Sequence, residues 1–155
     1  MNSENFTPSI GVILVAGLLA GVLDLTATST LVRTQGIPFE RLLQMIAGGA
    51  LGHPAFEGGK KTAAAGFFLH FFIAFAAASI YYYAISRRMT ALIDYPLFSG
   101  AVYGSAIHLV MSRIVLPLSA APKRKFSAKA FLTQLIIHIF CVGLPIALVI
   151  SHFSR

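Results

Sequence analysis

Four ionisable side chains lie inside long apolar stretches of this sequence, and their types suggest several kinds of chemistry. They are Asp24, His70, His108 and His138, and the stretch around the first histidine reads GFFLHFFIAFA over residues 66–76. Imidazole and carboxylate groups can ligate zinc or iron, and two imidazoles on facing helices can ligate a b-type haem. The same groups can relay protons or hydrogen-bond between helices. Which chemistry applies depends on the elements that position them.

The composition indicates a membrane protein. Of 155 residues, 57% are hydrophobic and only 11% are charged, whereas a soluble domain usually has about 25% charged residues. A single domain of this length cannot bury so much apolar surface, so lipid must cover the remainder. The net charge of +7 comes from basic residues between the apolar stretches, which favours membrane topology over nucleic-acid binding. Cys141 is the only cysteine, which excludes an internal disulfide and any multi-cysteine metal site.

Four apolar runs are long enough to cross a bilayer, which takes about 20 helical residues. They lie at about residues 10–32, 62–85, 96–118 and 127–150. The first run lacks the pattern of a cleavable signal peptide, so we expect it to remain as a span. Pro38, followed by mixed apolar and polar residues, predicts an amphipathic interfacial helix over about 38–48. The sequence therefore predicts an all-α, single-domain membrane four-helix bundle with an interfacial helix between spans one and two.

The basic residues are unevenly distributed between the two sides of a four-span topology. The side with the first and third connections carries nine of the twelve Lys and Arg residues, and the other side carries three. Because positive residues stay in the cytoplasm, both termini are predicted to lie outside it. The run Lys123, Arg124 and Lys125 is expected to contact anionic lipid headgroups, at about 1 kcal/mol per charge.

Each predicted span contributes one of the four ionisable groups. A rise of 1.5 Å per residue places all four within about 5 to 6 Å of a common depth. Each group also lies on the stripe of its helix that is richest in small residues, where transmembrane helices approach each other. Arg113 is near enough in depth to be the partner of Asp24, because a buried carboxylate needs one. We therefore predict a buried polar cluster of Asp24, His70, His108, His138, Arg113 and Gln134.

Three functional interpretations of this cluster stay open. The sequence has no compact metal motif and no glycine-flanked nucleophile, so we expect a non-enzymatic accessory or scaffold component whose polar centre organises packing or a partner interface. In the first alternative, haem b or a divalent metal binds His70, His108, His138 and Asp24. Proton or ion conduction is the second alternative, with hydroxyls following Asp24 toward the cytoplasm. Besides the lipid bilayer, another membrane protein or a second copy, contacted through Gly100 and Gly104, is an expected partner.

Three stretches resemble a group of small bacterial inner-membrane proteins with four spans. They are AGVLDLTAT at 20–28, VLPLSAAP at 115–122 and HIFCVGLPIAL at 138–148. The resemblance runs along most of the chain and implies a multi-pass protein of the bacterial plasma membrane. No activity is established for that group, so the resemblance assigns no role to any residue.

Overall fold

The structure, a computed structural model, describes residues 6–86, 91–123 and 126–153 of the chain. Within those ranges it is all-α and contains no strand. The helices and their π-helical continuations are Phe6–Arg33; Phe39–Leu51; Gly59–Ile80 with Tyr81–Ser86; Ala91–Asp94; Pro96–Val110 with Met111–Val115 and Leu116–Leu118; and Ala128–Ile137 with His138–Gly143 and Leu144–Phe153. A 3₁₀ turn, His53–Phe56, precedes the third of them. This architecture confirms the predicted all-α fold class.

Four of these helices are long and apolar enough to cross a membrane. We call them spans one to four: Ile10–Arg33, Gly59–Tyr83, Pro96–Leu118 and Ala128–Phe153. Each has at least 23 residues, more than the about 20 that a hydrocarbon core requires. The chain is therefore a multi-pass membrane protein. Its spans begin and end within three residues of the apolar runs read from the sequence.

The four spans pack in the order two, one, four, three. Span one contacts both span two and span four, and span four also contacts span three. Spans two and three are joined at one end of the bundle by tyrosine hydroxyls. Tyr103 donates to the Ala77 carbonyl at 2.7 Å, and Tyr81 lies 2.8 Å from the hydroxyl of Ser99. The packing order matters for the site, because it fixes which ionisable groups can meet.

Glycines set the distances between the spans, and they do so differently on the two sides. In span one, a Cβ at Gly21 would lie 2.8 Å from a ring carbon of Phe71 in span two. In span four, a Cβ at Gly143 would collide with the Gly100 carbonyl and lie 2.5 Å from the Gly104 nitrogen. The ridge formed by Gly100 and Gly104 is therefore used inside the bundle, and it is not available for association with a second copy.

Two spans change from α- to π-helical geometry just before a proline. Pro117 follows the π-helical segment Met111–Val115, and Pro145 follows His138–Gly143. A proline has no N–H and its ring presses on the carbonyl four residues earlier, which here belongs to Arg113 or Cys141. A wider turn accommodates that conflict. In span four, the resulting segment begins at His138.

The helix Phe39–Leu51 is amphipathic and docks on one end of the bundle. It buries Leu42, Leu43 and Ala47, and its backbone at Leu43 crosses span two where Gly66 leaves room. Its buried Gln44 donates to the Gly59 carbonyl at 3.2 Å. This helix is therefore fixed to span two by side-chain and backbone contacts, in addition to any contact with lipid.

Candidate functional site

Asp24 of span one and His70 of span two form a partly buried pair. His70 Nδ1 lies 4.0 Å from Asp24 Oδ2, and the two side chains are 13% and 15% exposed. His70 Nε2 lies 2.9 Å from the carbonyl oxygen of Gly21, one turn before Asp24. Because a carbonyl can only accept, Nε2 carries a proton and Nδ1 is the atom that faces the carboxylate. A proton on Nδ1 or on the carboxylate makes that contact attractive.

His108 of span three and His138 of span four form a second pair. Their ring centroids are 5.1 Å apart with an interplanar angle of 56°. His138 Nδ1 donates to the Gln134 carbonyl at 2.8 Å, which fixes the tautomer and the ring orientation. His108 is only 4% exposed, and its ring also contacts Phe131 with centroids 4.5 Å apart. The two imidazoles are thus packed directly against one another.

The two pairs are connected through the Asp24 carboxylate. Asp24 interacts electrostatically with His138 as well as with His70, and Cys141 lies within range of the same carboxylate. The groups therefore follow the order His70, Asp24, His138 and His108, the same as the packing order of the spans, with a contact within each pair and an electrostatic interaction between Asp24 and His138. We call these four side chains the polar centre. Every span contributes one member to it.

Arg113 does not belong to the polar centre. Its side chain is exposed, and its guanidinium lies 5.3 Å from the ring centroid of Phe131 and 5.5 Å from that of Phe126. Five residues beyond His108 correspond to a rotation of about 140° around the helix, so Arg113 faces away from Asp24. A long basic side chain also reaches toward the membrane surface and stacks on aromatic rings. The prediction that Arg113 is the buried partner of Asp24 was therefore wrong.

Several buried polar atoms near the polar centre have no hydrogen-bond partner among the residues that the structure describes. Gln134, which the sequence placed in the cluster, is half-buried and contributes one of them. Thr28, one turn after Asp24, was not among the predicted site residues, although its spacing from Asp24 puts both on one helix face. The atoms are Asp24 Oδ1, Thr28 Oγ1, His108 Nε2 and Gln134 Oε1.

The predicted lipid-contacting run is only partly within the described residues. Lys123 Nζ donates to the carbonyls of Pro117 at 2.6 Å and Ser119 at 3.1 Å, so this ammonium caps the end of span three. Arg124 and Lys125 lie outside the described residues. Headgroup contact by this run therefore stays a prediction.

The arrangement does not fit the predicted cofactors well. In the described part of the chain, no three or more His, Cys, Asp or Glu side chains are grouped so that they could hold a metal ion. The rings of His108 and His138 contact each other, which leaves no space between them for a haem macrocycle. A groove of about 200 Å³ does lie between spans one and two, lined by residues such as Val22, Phe39 and Phe67. It is open and mostly apolar, and none of the four members of the polar centre lines it.

The fold and the polar centre define the class of protein: a multi-pass α-helical membrane protein with one ionisable group of the polar centre on each of its four spans. The chain matches no protein-family model, no curated protein and no solved structure.

Proposed function

We propose that this chain is a non-enzymatic accessory or scaffold component of a bacterial inner membrane. In this proposal the polar centre sets the arrangement of the four spans, and the bundle presents one fixed surface to a partner membrane protein. The observation that supports it is the order His70, Asp24, His138 and His108, one group per span, with a contact within each pair and Asp24 within electrostatic range of His138.

The energetics of such contacts favour a role in specificity. An interhelical hydrogen bond in a membrane contributes only about 0.6 kcal/mol on average. A carboxylate near the bilayer centre costs about 2.5 to 3.5 kcal/mol on insertion scales unless it is paired. An arrangement of the spans that separates Asp24 from both imidazoles therefore costs more free energy than the native polar pairs contribute to stability. The polar centre selects one packing of the spans and adds little to overall stability.

Recovery of a partner from native membranes tests the scaffold proposal. We expect the tagged chain, extracted in a mild detergent after chemical cross-linking, to carry one partner protein in a fixed ratio. D24N should lose that partner, because the spans no longer share one arrangement, whereas D94N alters an exposed carboxylate and should keep it. Isolation of the chain alone, or equal recovery with D24N and D94N, would contradict the proposal.

The membrane orientation in this proposal places both termini outside the cytoplasm. It is supported by the excess of basic residues in the first and third connections. On a C141S background, D94C should react with a membrane-impermeant maleimide added to intact spheroplasts. Q35C, an exposed position in the first connection, should react only after permeabilisation. The reverse labelling pattern would contradict the orientation.

Optical and elemental measurements separate the scaffold from the cofactor alternative. A scaffold purified from its native membrane should show no Soret absorption and less than stoichiometric zinc and iron. Haem or metal at one equivalent, lost in H108A or H138A, would replace the scaffold proposal by the cofactor alternative.

A further inference from the structure

Three buried oxygen atoms on spans one and four, namely Asp24 Oδ1, Thr28 Oγ1 and Gln134 Oε1, have no hydrogen-bond partner within the described ranges of the chain. Ser29 and Thr30 of span one, like Ser105 and Thr133 elsewhere, donate to a backbone carbonyl three or four residues earlier. Helical Ser and Thr commonly satisfy their hydroxyls in this way. Thr28 does not, and its hydroxyl is buried without a partner among the described residues. The Thr28 hydroxyl therefore lies inside the bundle although it does not make the backbone hydrogen bond that usually satisfies such a group.

The helix register brings Thr28 to the same level as Gln134. Spans one and four run in opposite directions and contact each other. Span one contacts both Ala128–Ile137 and His138–Gly143 of span four, and Asp24 is within electrostatic range of His138, so a residue four positions after Asp24 lies at about the level of a residue four positions before His138. Those residues are Thr28 and Gln134, and each step of four residues is about 6 Å along the axis.

His108 of span three lies beside the part of span four that contains Gln134. Its ring contacts both Phe131 and His138, which are two turns apart on span four. The imidazole therefore lies beside the intervening turn, which contains Gln134. His108 is only 4% exposed, yet its Nε2 has no hydrogen-bond partner among the described residues. A nine-tenths-buried imidazole beside this turn with an unpartnered nitrogen is a second sign that the space accommodates something polar.

We propose that Asp24 Oδ1, Thr28 Oγ1 and Gln134 Oε1 form a binding site for a sodium ion, with His108 Nε2 holding a water of its coordination shell. Carboxylate, hydroxyl and amide oxygens are the ligands of hard cations. With His70 neutral, the Asp24 carboxylate balances one positive charge, so a monovalent ion takes the place of the proton that the Asp24–His70 contact otherwise needs and leaves the site neutral, whereas a divalent ion would add a net charge in the membrane. Sodium sites in secondary transporters also lie near the bilayer midplane.

The site differs from the metal site predicted from the sequence. That prediction grouped three imidazoles with Asp24 and implied a transition metal. The oxygen site uses only Asp24 of that set as a direct ligand, and two of its ligands, Thr28 and Gln134, are uncharged. It is also independent of the scaffold proposal, because a partner protein and an ion can each be present without the other.

Sodium-dependent stability of the purified full chain tests this site. In nanodiscs at constant ionic strength, replacing choline chloride by sodium chloride should raise the thermal midpoint in a saturable way, since a ligand that binds only the folded state stabilises it. Potassium should give a smaller shift at equal concentration. Radioactive sodium binding to the same sample should saturate at one ion per chain.

Matched substitutions at the hydroxyl separate an ion site from ordinary packing. T28V removes the hydroxyl at nearly constant volume and should weaken the apparent sodium affinity at least about tenfold, while T28S should retain it. T30V makes the same change at an exposed hydroxyl that already donates to Thr26, and it should bind sodium like the unaltered chain. Equal effects of sodium, potassium and choline, or equal sodium affinity in T28V and T28S, would overturn the proposal.

Discussion

The interface between spans one and two and the interface between spans three and four solve the same packing problem differently. In the first, Gly17 and Gly21 receive the side chains of Phe75 and Phe71, so ring edges fill the space that the glycines leave. In the second, Gly143 faces the backbone of Gly100 and Gly104 directly. Ring edges can rotate away from an added methyl group, but a backbone carbonyl cannot. The second interface should therefore be much less tolerant of change.

The histidines of the two interfaces also differ, in their burial and in their hydrogen bonds. His70 satisfies one nitrogen on the Gly21 carbonyl and directs the other to Asp24, with both side chains slightly exposed. His108 is almost fully buried by its close contact with span four. Its Nε2 has no partner among the described residues. Close backbone packing thus accompanies the less satisfied imidazole, which is where we propose that a hydrated ion contributes.

The largest effect is expected from G143A. Its Cβ would meet the Gly100 carbonyl and the Gly104 backbone, so spans three and four must separate, at a cost of about 3 kcal/mol. G11A is the matched control, because nothing lies within 4 Å of a Cβ there; it should be neutral or stabilising by up to about 1 kcal/mol. Unfolding of both variants in mixed micelles measures the difference. Equal stability of the two variants would contradict the conclusion that the backbone contacts between spans three and four do not tolerate an added methyl group.

A smaller effect is expected from G21A in the other interface. The nearest atoms to its Cβ are Phe71 ring carbons at 2.8 and 2.9 Å, and rotation of that ring relieves the overlap at a cost of about 1 to 2 kcal/mol. The same unfolding assay applies, with G11A again as control. If G21A destabilised the protein as much as G143A, side-chain and backbone contacts would be equally rigid here.

The smallest effect is expected from coupling between Asp24 and His70. A double-mutant cycle of D24N, H70A and the combined variant should give about 0.6 to 1 kcal/mol of interaction energy, typical of membrane polar pairs. The same cycle with D94N and H53A, two exposed positions in different connections, should give none. A coupling of several kcal/mol would instead assign the polar centre a main role in stability.

The amphipathic helix shows how far a periodic pattern can be interpreted. Pro38 and the residues after it predicted a helix, and the structure contains one at Phe39–Leu51. The pattern could not reveal that this helix packs on span two, because the contact depends on Gly66 facing the backbone at Leu43. A lone glycine in an apolar run gives no indication of what fills the space beside it.

The sequence by itself determined the four spans, the all-α class and the intramembrane position of one carboxylate and three imidazoles, because hydropathy and helical rise depend only on residue order. It could not place Arg113 outside the polar centre, since the direction of a long flexible side chain depends on nearby rings and on the membrane surface. Only the tertiary structure decided that the spans pack in the order two, one, four, three. That order sets the contacts of Asp24 and leaves Thr28 and Gln134 facing the interior, because contacts between distant residues depend on how the helices pack.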